Sequence, residues 1–450
     1  MEINAIYEGD NLEVMSNSPK KSIDLIYLDP PFYTNKGFEI IWKDKAEIRA
    51  FQDRWAGGIN HYITYMQPRL VECYNLLKDT GSIYLHCDPH ADSYLREEMD
   101  KIFRESNFRN EIIWKRTHAH GGGTTGFSSV HDTILFYTKS NKFTFNRQFT
   151  PYSQSYIDDF FRYKEPDGRK YRLVIATGSG ETKNDYLWKS KTPTKGRHWA
   201  YKKEKMEELE KEGMLVYSNM GNVSIKQYID DKEGTLITDI WDDIEVIHSQ
   251  SKERLGYPTQ KPVALLERII KVSSNKGDTI LDPFCGCGTA LVASQRLGRK
   301  WIGIDISPTA CKLMDKRLRK EFSITPKLIR GEVDIKYLKK LQPFEFQNWV
   351  VVDKFLGAVS KTKSGDFGID GYTPQITGGY PIQVKQSEGI GRNVIDNFET
   401  AIRRLNKTKG YIVAFSFGRG AIEGVAEAKN NRSIEIILRT VQELLDGKIE

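Results

Sequence analysis

Asp29 stands at the end of an apolar run, Ser22 to Leu28, and Pro30, Pro31, Phe32 and Tyr33 follow it. Prolines cannot continue a sheet, so the run predicts a buried strand that stops at a carboxylate, with an aromatic ring held three residues on. Taken alone, the stretch is equally a strand-ending turn. A second constellation is the segment LDPFCGCGTALVASQRLGRKWIGIDIS, Leu281 to Ser307. A strand running into Asp282, a turn whose Gly286 and Gly288 let backbone approach a ligand, a helix, and a strand ending at Asp305 arrive in that order. This is how a doubly wound sheet holds a nucleoside, with the second acid on ribose hydroxyls. The full G-x-G-x-x-G is absent, which points to a mononucleoside-like ligand rather than a dinucleotide. Cys285 and Cys287 are read as structural, since a metal site there would need two further ligands. A third constellation pairs Asp370 with Gln383, Val384 and Lys385 across a TGG turn. A hairpin would set the acid and the ammonium on neighbouring strands. Asp370, the Val384 carbonyl and Glu345 are then candidate magnesium ligands, with Lys385 orienting an attacking water.

These groups need elements to position them. At 450 residues the chain is too long for one ordinary core, and two domains or one domain with insertions are expected. Strands at about Ser22 to Leu28, Ser82 to Cys87, Glu111 to Trp114 and Thr133 to Tyr137, with a helix at about His61 to Leu77, predict an α/β fold. The stretch HGGGTTG, before the last of these strands, is expected as a loop. Regular α/β spacing resumes with a helix opened by Pro262 and runs through the nucleoside segment.

Between them the alternation dissolves. From Lys139 to Lys203 there are 15 Lys and Arg against 6 Asp and Glu, more excess charge than the +7 of the whole chain. Aromatics such as Tyr163, Trp188, Trp199 and Tyr201 are interleaved with these cations. The combination suits phosphate contact and base stacking, or a solvated basic face over a small core. No apolar run approaches a membrane span, and the acidic N-terminus is no signal peptide, so a cytoplasmic protein without membrane attachment is expected. Five cysteines without CxxC spacing predict reduced, buried thiols.

The motifs DPPF (Asp29 to Phe32), GSIYLHCD (Gly81 to Asp88), NEIIWK (Asn110 to Lys115), YPTQKP (Tyr257 to Pro262) and DPFCGCGT (Asp282 to Thr289), in this order, resemble the DNA amino-methyltransferases of the beta order. In that family the catalytic motif precedes the cofactor motif and a target-recognition segment lies between them. Cys287 and Ala290 stand where the family has Ser and Thr. The resemblance covers about Met1 to Arg330. It implies a Rossmann-like α/β methyltransferase dependent on S-adenosylmethionine, with residues 1–140 and 239–330 as core and 141–238 as the target-recognition insertion.

The resemblance also assigns roles. Asp29 and the Pro30 carbonyl, fixed by Pro31, would accept the protons of an exocyclic base amine, whose lone pair is otherwise delocalised into the ring. Phe32 would stack on a base rotated out of double-stranded DNA. Asp282, Phe284, Gly286, Gly288, Thr289 and Asp305 would contact the cofactor, with Asp10, Thr259 and Lys261 as further candidates. An acid at position 29 leans towards adenine N6; cytosine N4 is the alternative.

Beyond an expected linker at 331–342, residues 343–450 resemble an Mrr-type restriction-endonuclease domain of the PD-(D/E)xK-like α/β class, whose pattern is Asp, then Gln-x-Lys, with an upstream helix Glu. That implies magnesium-dependent DNA cleavage through Asp370, Gln383 and Lys385, with Asp366 as a rival to Asp370. The alternative is a DNA-binding regulatory protein whose nuclease domain is inactive. A homodimer is left open.

Overall fold

The computed structural model describes all residues except 32–36, 42–46, 53–57, 88, 118–126, 181–183, 232, 249, 258, 332, 342, 361–367 and 450, and only the backbone of 37–41 and 47–52. Phe32, Asp366 and the whole of the expected HGGGTTG loop therefore lie outside the described residues. The described chain forms two compact units, Met1–Asn146 with Asp239–Glu450, and Arg147–Thr238.

The first unit is built on a nine-stranded sheet. Its strands are β1 (Ala5–Glu8), β2 (Ile23–Leu28), β3 (Leu77–Cys87), β4 (Phe108–Lys115), β5 (His131–Thr138), β6 (Ile240–Trp241), β7 (Thr279–Asp282), β8 (Lys300–Asp305) and β9 (Lys327–Arg330). They lie in the order β6-β4-β5-β3-β2-β7-β8-β1-β9. All pairings are parallel except those of β5 with its two neighbours. Strands buried on both faces read as continuous apolar runs, and IDLIYL in β2 is one. Helices α1 (Asn11–Ser16), α2 (Gly58–Leu76), α3 (Val263–Ser273), α4 (Thr289–Arg296) and α5 (Pro308–Phe322) accompany the sheet. Leu70, Cys73 and Leu76 of α2 share a fully buried cluster with Ile26 and Leu28 of β2 and Ile83 and Leu85 of β3. Pro262 caps α3, as its sequence predicts.

The strand order explains why the DPPF and DPFCGCGT motifs can be far apart in sequence yet adjacent in space. β2 pairs β7, with Ile26 opposite Leu281, and β7 pairs β8, with Asp282 opposite Gly303. β8 in turn pairs β1, with Asp305 opposite Glu8. The carboxyl ends of four parallel strands therefore meet at one sheet edge, which is where open α/β sheets bind ligands.

Residues 331–342, expected as a linker, carry the helix α6 (Ile335–Lys340), whose Leu338 is fully buried. Next comes α7 (Pro343–Asn348), and then a five-stranded sheet, β10 (Ala358–Val359), β11 (Gly371–Tyr372), β12 (Pro381–Lys385), β13 (Lys409–Ala414) and β14 (Glu435–Thr440), paired in chain order. This sheet has cores of its own on both faces, yet the region is not set apart from the core as a sequence boundary at 343 implies. Lys312 of α5 pairs with Asp353, and Lys340 of α6 pairs with Glu13 of α1 at 2.7 Å.

The second unit, expected from residue 141, begins at Arg147. Strands Leu215–Tyr217, Val223–Tyr228, Lys170–Ile175 and Tyr163–Lys164 make an antiparallel sheet. Trp188, Trp199, Met206 and Ile225 belong to its core. All five cysteines of the chain are free and buried, and among the described residues no helix is long and apolar enough to cross a membrane.

Candidate active site

At the meeting of the strand ends lies a cavity of about 480 Å³, lined by Asp10, Asp29, Pro30, Pro31, Asp282 and Asp305 among others. That volume is within the range of small-molecule sites, ~300–1,000 Å³. Its floor is the DPFCGCGT turn. Gly286 and Gly288 both adopt left-handed φ, +49° and +75°. A Cβ on Gly288 would lie 2.8 Å from Met314 Cγ, and one on Gly286 3.1 Å from the Tyr257 ring, so side chains there would strain the turn and crowd its supports. The Gly286 N–H donates to Asp305 Oδ2 at 2.7 Å and the Ser307 N–H to Oδ1 at 2.9 Å. Asp305 is thereby locked in orientation facing the cavity. The Phe284 N–H donates to Asp282 Oδ1 at 3.1 Å.

Of the residues expected at the cofactor, Asp282, Phe284, Gly286, Thr289, Asp305, Asp10 and Thr259 line the cavity. Gly288 does not; it is the left-handed cap from which α4 begins, and its role is to turn the chain. Lys261 lines the cavity too, but its ammonium is committed elsewhere. It donates to both oxygens of Asp29, at 2.7 and 2.6 Å, and is only 7% exposed. The YPTQKP segment thus fixes the Asp29 carboxylate, a contact that a separation of 232 residues hides from sequence reasoning.

Asp10 is fixed in the same manner. It caps α1 through the Leu12 N–H and accepts from Arg69 Nη2 at 2.8 Å. Arg69 also donates to Asn11 Oδ1, while Asn11 Nδ2 donates to the Pro283 carbonyl. Arg69, Asn11 and Tyr65 all line the cavity, and none belongs to a motif that the sequence offers.

Among the described residues no Lys or Arg pairs with Asp282 or Asp305. Burial pushes the Asp305 carboxyl up to about 6, and holds Asp282 well above the usual carboxylate range. An acidic cavity whose three lining cations, Arg69, Lys261 and Lys340, are each already paired with a carboxylate suits a ligand that brings positive charge. Beneath it, Tyr27 Oη and His86 Nδ1 lie 2.9 Å apart, and His86 Nε2 and Asp132 Oδ2 3.1 Å apart, with burial lowering the His86 pKa.

The expected C-terminal metal site is not assembled in this way. The hairpin exists: β11 pairs β12 antiparallel, with Gly371 opposite Ile382, which sets Asp370 beside Gln383. One oxygen of Asp370, however, accepts the Val384 N–H at 2.7 Å. Glu345 does not join them. It lines the cofactor-type cavity instead, where the carboxylates acting on it are Asp305, Asp353 and Glu8, because α7 packs against the methyltransferase-like core. Among the described residues no group of three acidic, histidine or cysteine side chains could hold a metal ion. Magnesium therefore does not fit the described donor set.

In the second unit the exposed aromatics are Phe160, Tyr163, Tyr201 and Tyr217, whereas Trp188, Trp199 and Phe161 are buried and cannot stack on a ligand. Lys189 pairs with Glu210, and Lys191 donates to the Met220 carbonyl. Lys195, Lys202 and Lys203 are exposed, with no ion pair among the described residues.

Residues 23–316 match the model of a family of DNA methylases, the N6/N4 methyltransferases. The chain is 33% identical over 298 residues to the type II methyltransferase M.EcaI of Enterobacter cloacae, an alignment spanning 66% of this chain and 65% of that protein. It is 30% identical over 335 residues to the StyLTI Mod subunit, a type III restriction-modification enzyme of Salmonella typhimurium, covering 66% and 50%. With the DNA adenine methyltransferase YhdJ of Escherichia coli it shares 26% identity over 321 residues, 70% of this chain and 83% of the other. The chain thus spans about half to two thirds of the length of the first two relatives. The matched region contains both strand-end motifs and the second unit between them, and the chain belongs to the N6/N4 family of DNA methylases.

Proposed function

We propose that the chain is a site-specific DNA methyltransferase of a restriction-modification or phage-defence system, which transfers a methyl group from S-adenosylmethionine to the exocyclic amine of a flipped base, adenine N6. The observation that carries this reading is the convergence of Asp29, Asp282 and Asp305 on one acidic cavity from the ends of three adjacent strands. S-adenosylmethionine supplies an electrophilic methyl on a cationic sulfonium, which the unpaired carboxylates of the cavity suit. Asp305, with both oxygens oriented by backbone N–H groups, accepts the ribose hydroxyls.

Asp29 and the Pro30 carbonyl accept hydrogen bonds from the two amine N–H groups, drawing the nitrogen towards a tetrahedral shape with its lone pair free to attack; as N–CH3 forms the S–CH3 bond would break to leave the thioether, and one amine proton is lost by way of Asp29 to solvent. Lys261 holds the Asp29 carboxylate in place for this, since both oxygens are gripped from one side. The target base must leave the duplex to reach the strand end, and the Lys195, Lys202 and Lys203 side of the second unit supplies phosphate contacts. The acid at position 29 and the likeness to a named adenine methyltransferase support adenine over cytosine. The test is transfer of labelled methyl from S-adenosylmethionine to duplex DNA. Label recovered in DNA supports the reading, and label absent from DNA at any sequence overturns it.

The β11–β12 hairpin, with Asp370 beside Gln383, supports a nuclease-like C-terminal fold. Among the described residues no group of three acidic, histidine or cysteine side chains gathers there.

A further inference from the structure

One wall of the cavity comes from outside the matched family region, which ends at residue 316: Leu341, Phe344 and Glu345 line it. Leu341 and Phe344 are apolar and 4% and 3% exposed. Glu345 is different. It lies in the first turn of α7, is 2% exposed, and both its carboxylate oxygens are buried with no hydrogen-bond partner among the described residues. The Ser307 hydroxyl, which accepts the Ala310 N–H and keeps its own proton to donate, is the polar group beside it, but it does not meet the geometry of a hydrogen bond to either oxygen. No Lys or Arg pairs with Glu345 among the described residues, and the nearby charges of Asp305, Asp353 and Glu8 oppose its ionisation, as burial does.

A buried carboxyl with empty acceptors is costly, and such groups are retained where a ligand supplies the donors. Its position selects the donors. Glu345 neighbours Asp305 and Ser307 at the end of β8, the nucleoside end of the cavity, whereas Asp29 and Lys261 mark the reacting end. Ile306, Leu341 and Phe344 supply apolar walls there, suited to a purine ring.

We infer that Glu345 accepts hydrogen bonds from the adenosine part of S-adenosylmethionine, its ribose hydroxyls or its adenine amine, so that the C-terminal region completes the cofactor site. This rests on the cofactor reading above. It adds a cofactor contact from a segment the family match does not reach, and it ties cofactor occupancy to the C-terminal sheet through α7.

The experiment is calorimetric titration of the full chain with S-adenosylmethionine, S-adenosylhomocysteine and methionine, for the wild type, Glu345→Gln and Glu345→Leu. Both variants should bind the two adenosine-containing ligands about tenfold more weakly or worse, the Leu variant losing more because it has no acceptor, with any response to methionine unchanged. Without ligand, both should melt no lower than wild type, because each replaces a buried carboxyl. A purely structural Glu345 would instead lower the ligand-free melting temperature and leave affinity intact. Wild-type affinity in either variant that melts normally overturns the inference. A wild-type chain that binds neither adenosine ligand overturns the cofactor reading itself, a separate failure.

Discussion

Two regions of the molecule each bring an acid from one strand beside chemistry on the next, and among the described residues only one of them gathers further acids into a cavity. At the parallel edge, four strand ends converge, so residues from Asp10 to Asp305 line one buried cavity whose carboxylates are oriented by backbone N–H groups or cations. At the C-terminal hairpin, Asp370 meets its neighbour strand but spends an oxygen on the Val384 N–H, and the acid expected to join it, Glu345, faces the other cavity. Parallel sheets gather residues from distant sequence at one edge, whereas a hairpin gathers only its own two strands.

The sharpest way to break this comparison is at Asp29. Asp29→Asn should lower methyl transfer by about 10²–10³-fold or more while S-adenosylmethionine binding changes little, because the acid acts on the amine. Asn is preferred to Ala, which would leave the buried Lys261 ammonium with no partner at position 29. Parallel turnover and binding measurements separate the two effects, and an equal loss of both would assign Asp29 to the cofactor instead.

Asp305 should show the next largest effect. Asp305→Ala removes charged acceptors worth about 1.5–3 kcal/mol each, so cofactor affinity should fall roughly ten- to a hundredfold. Its carboxyl is raised to about 6 by burial, so the folded empty chain keeps that proton up to a pH at which the unfolded chain has released it. The group's stabilisation is full below its ordinary value of 3.8 and is lost as pH rises through about 6. Melting of the ligand-free chain should decline over that window, and Asp305→Asn should flatten the decline. Cofactor affinity should rise over the same window, since the ionised carboxylate is the better acceptor. An affinity that falls between pH 5 and 7 would contradict this role.

Smaller and purely electrostatic is the effect of Lys195→Glu, Lys202→Glu and Lys203→Glu together. Each lost phosphate contact reduces the slope of log affinity against log salt by about 0.9. A salt titration of DNA binding with an unchanged slope would make this face merely solvated. The smallest effect is expected at the hairpin. Asp370→Ala should leave methylation at the wild-type rate, and neither protein should cut methylated or unmethylated DNA in magnesium. Cleavage that Asp370→Ala abolishes would restore the nuclease reading.

The parts legible in the sequence are those that depend on local pattern. The buried strand ending at Asp29, the Gly286–Gly288 turn, the helix opened by Pro262 and the acid at Asp305 each follow from residue type and spacing within one or two elements. What escaped was contact across the fold. Lys261 on Asp29, Arg69 on Asp10 and Glu345 in the cavity join segments 59 to 232 residues apart, or beyond the matched family region, and no period or motif records such pairings. The helix within the expected linker at 331–342 is hidden from the sequence for a related reason. Its charged surface hides Leu338 and Leu341, which are buried only once the core and the C-terminal sheet are both in place.

The most direct test is the identity of the methylated nucleoside. Duplex DNA incubated with the chain and S-adenosylmethionine, digested to nucleosides and analysed by mass spectrometry, should contain N6-methyladenine, and the Asp29→Asn protein should yield none above background. N4-methylcytosine would correct the base while keeping the amine chemistry. Methylation at a ring carbon, or wild-type yield from Asp29→Asn, would contradict the assignment of Asp29 to an exocyclic amine.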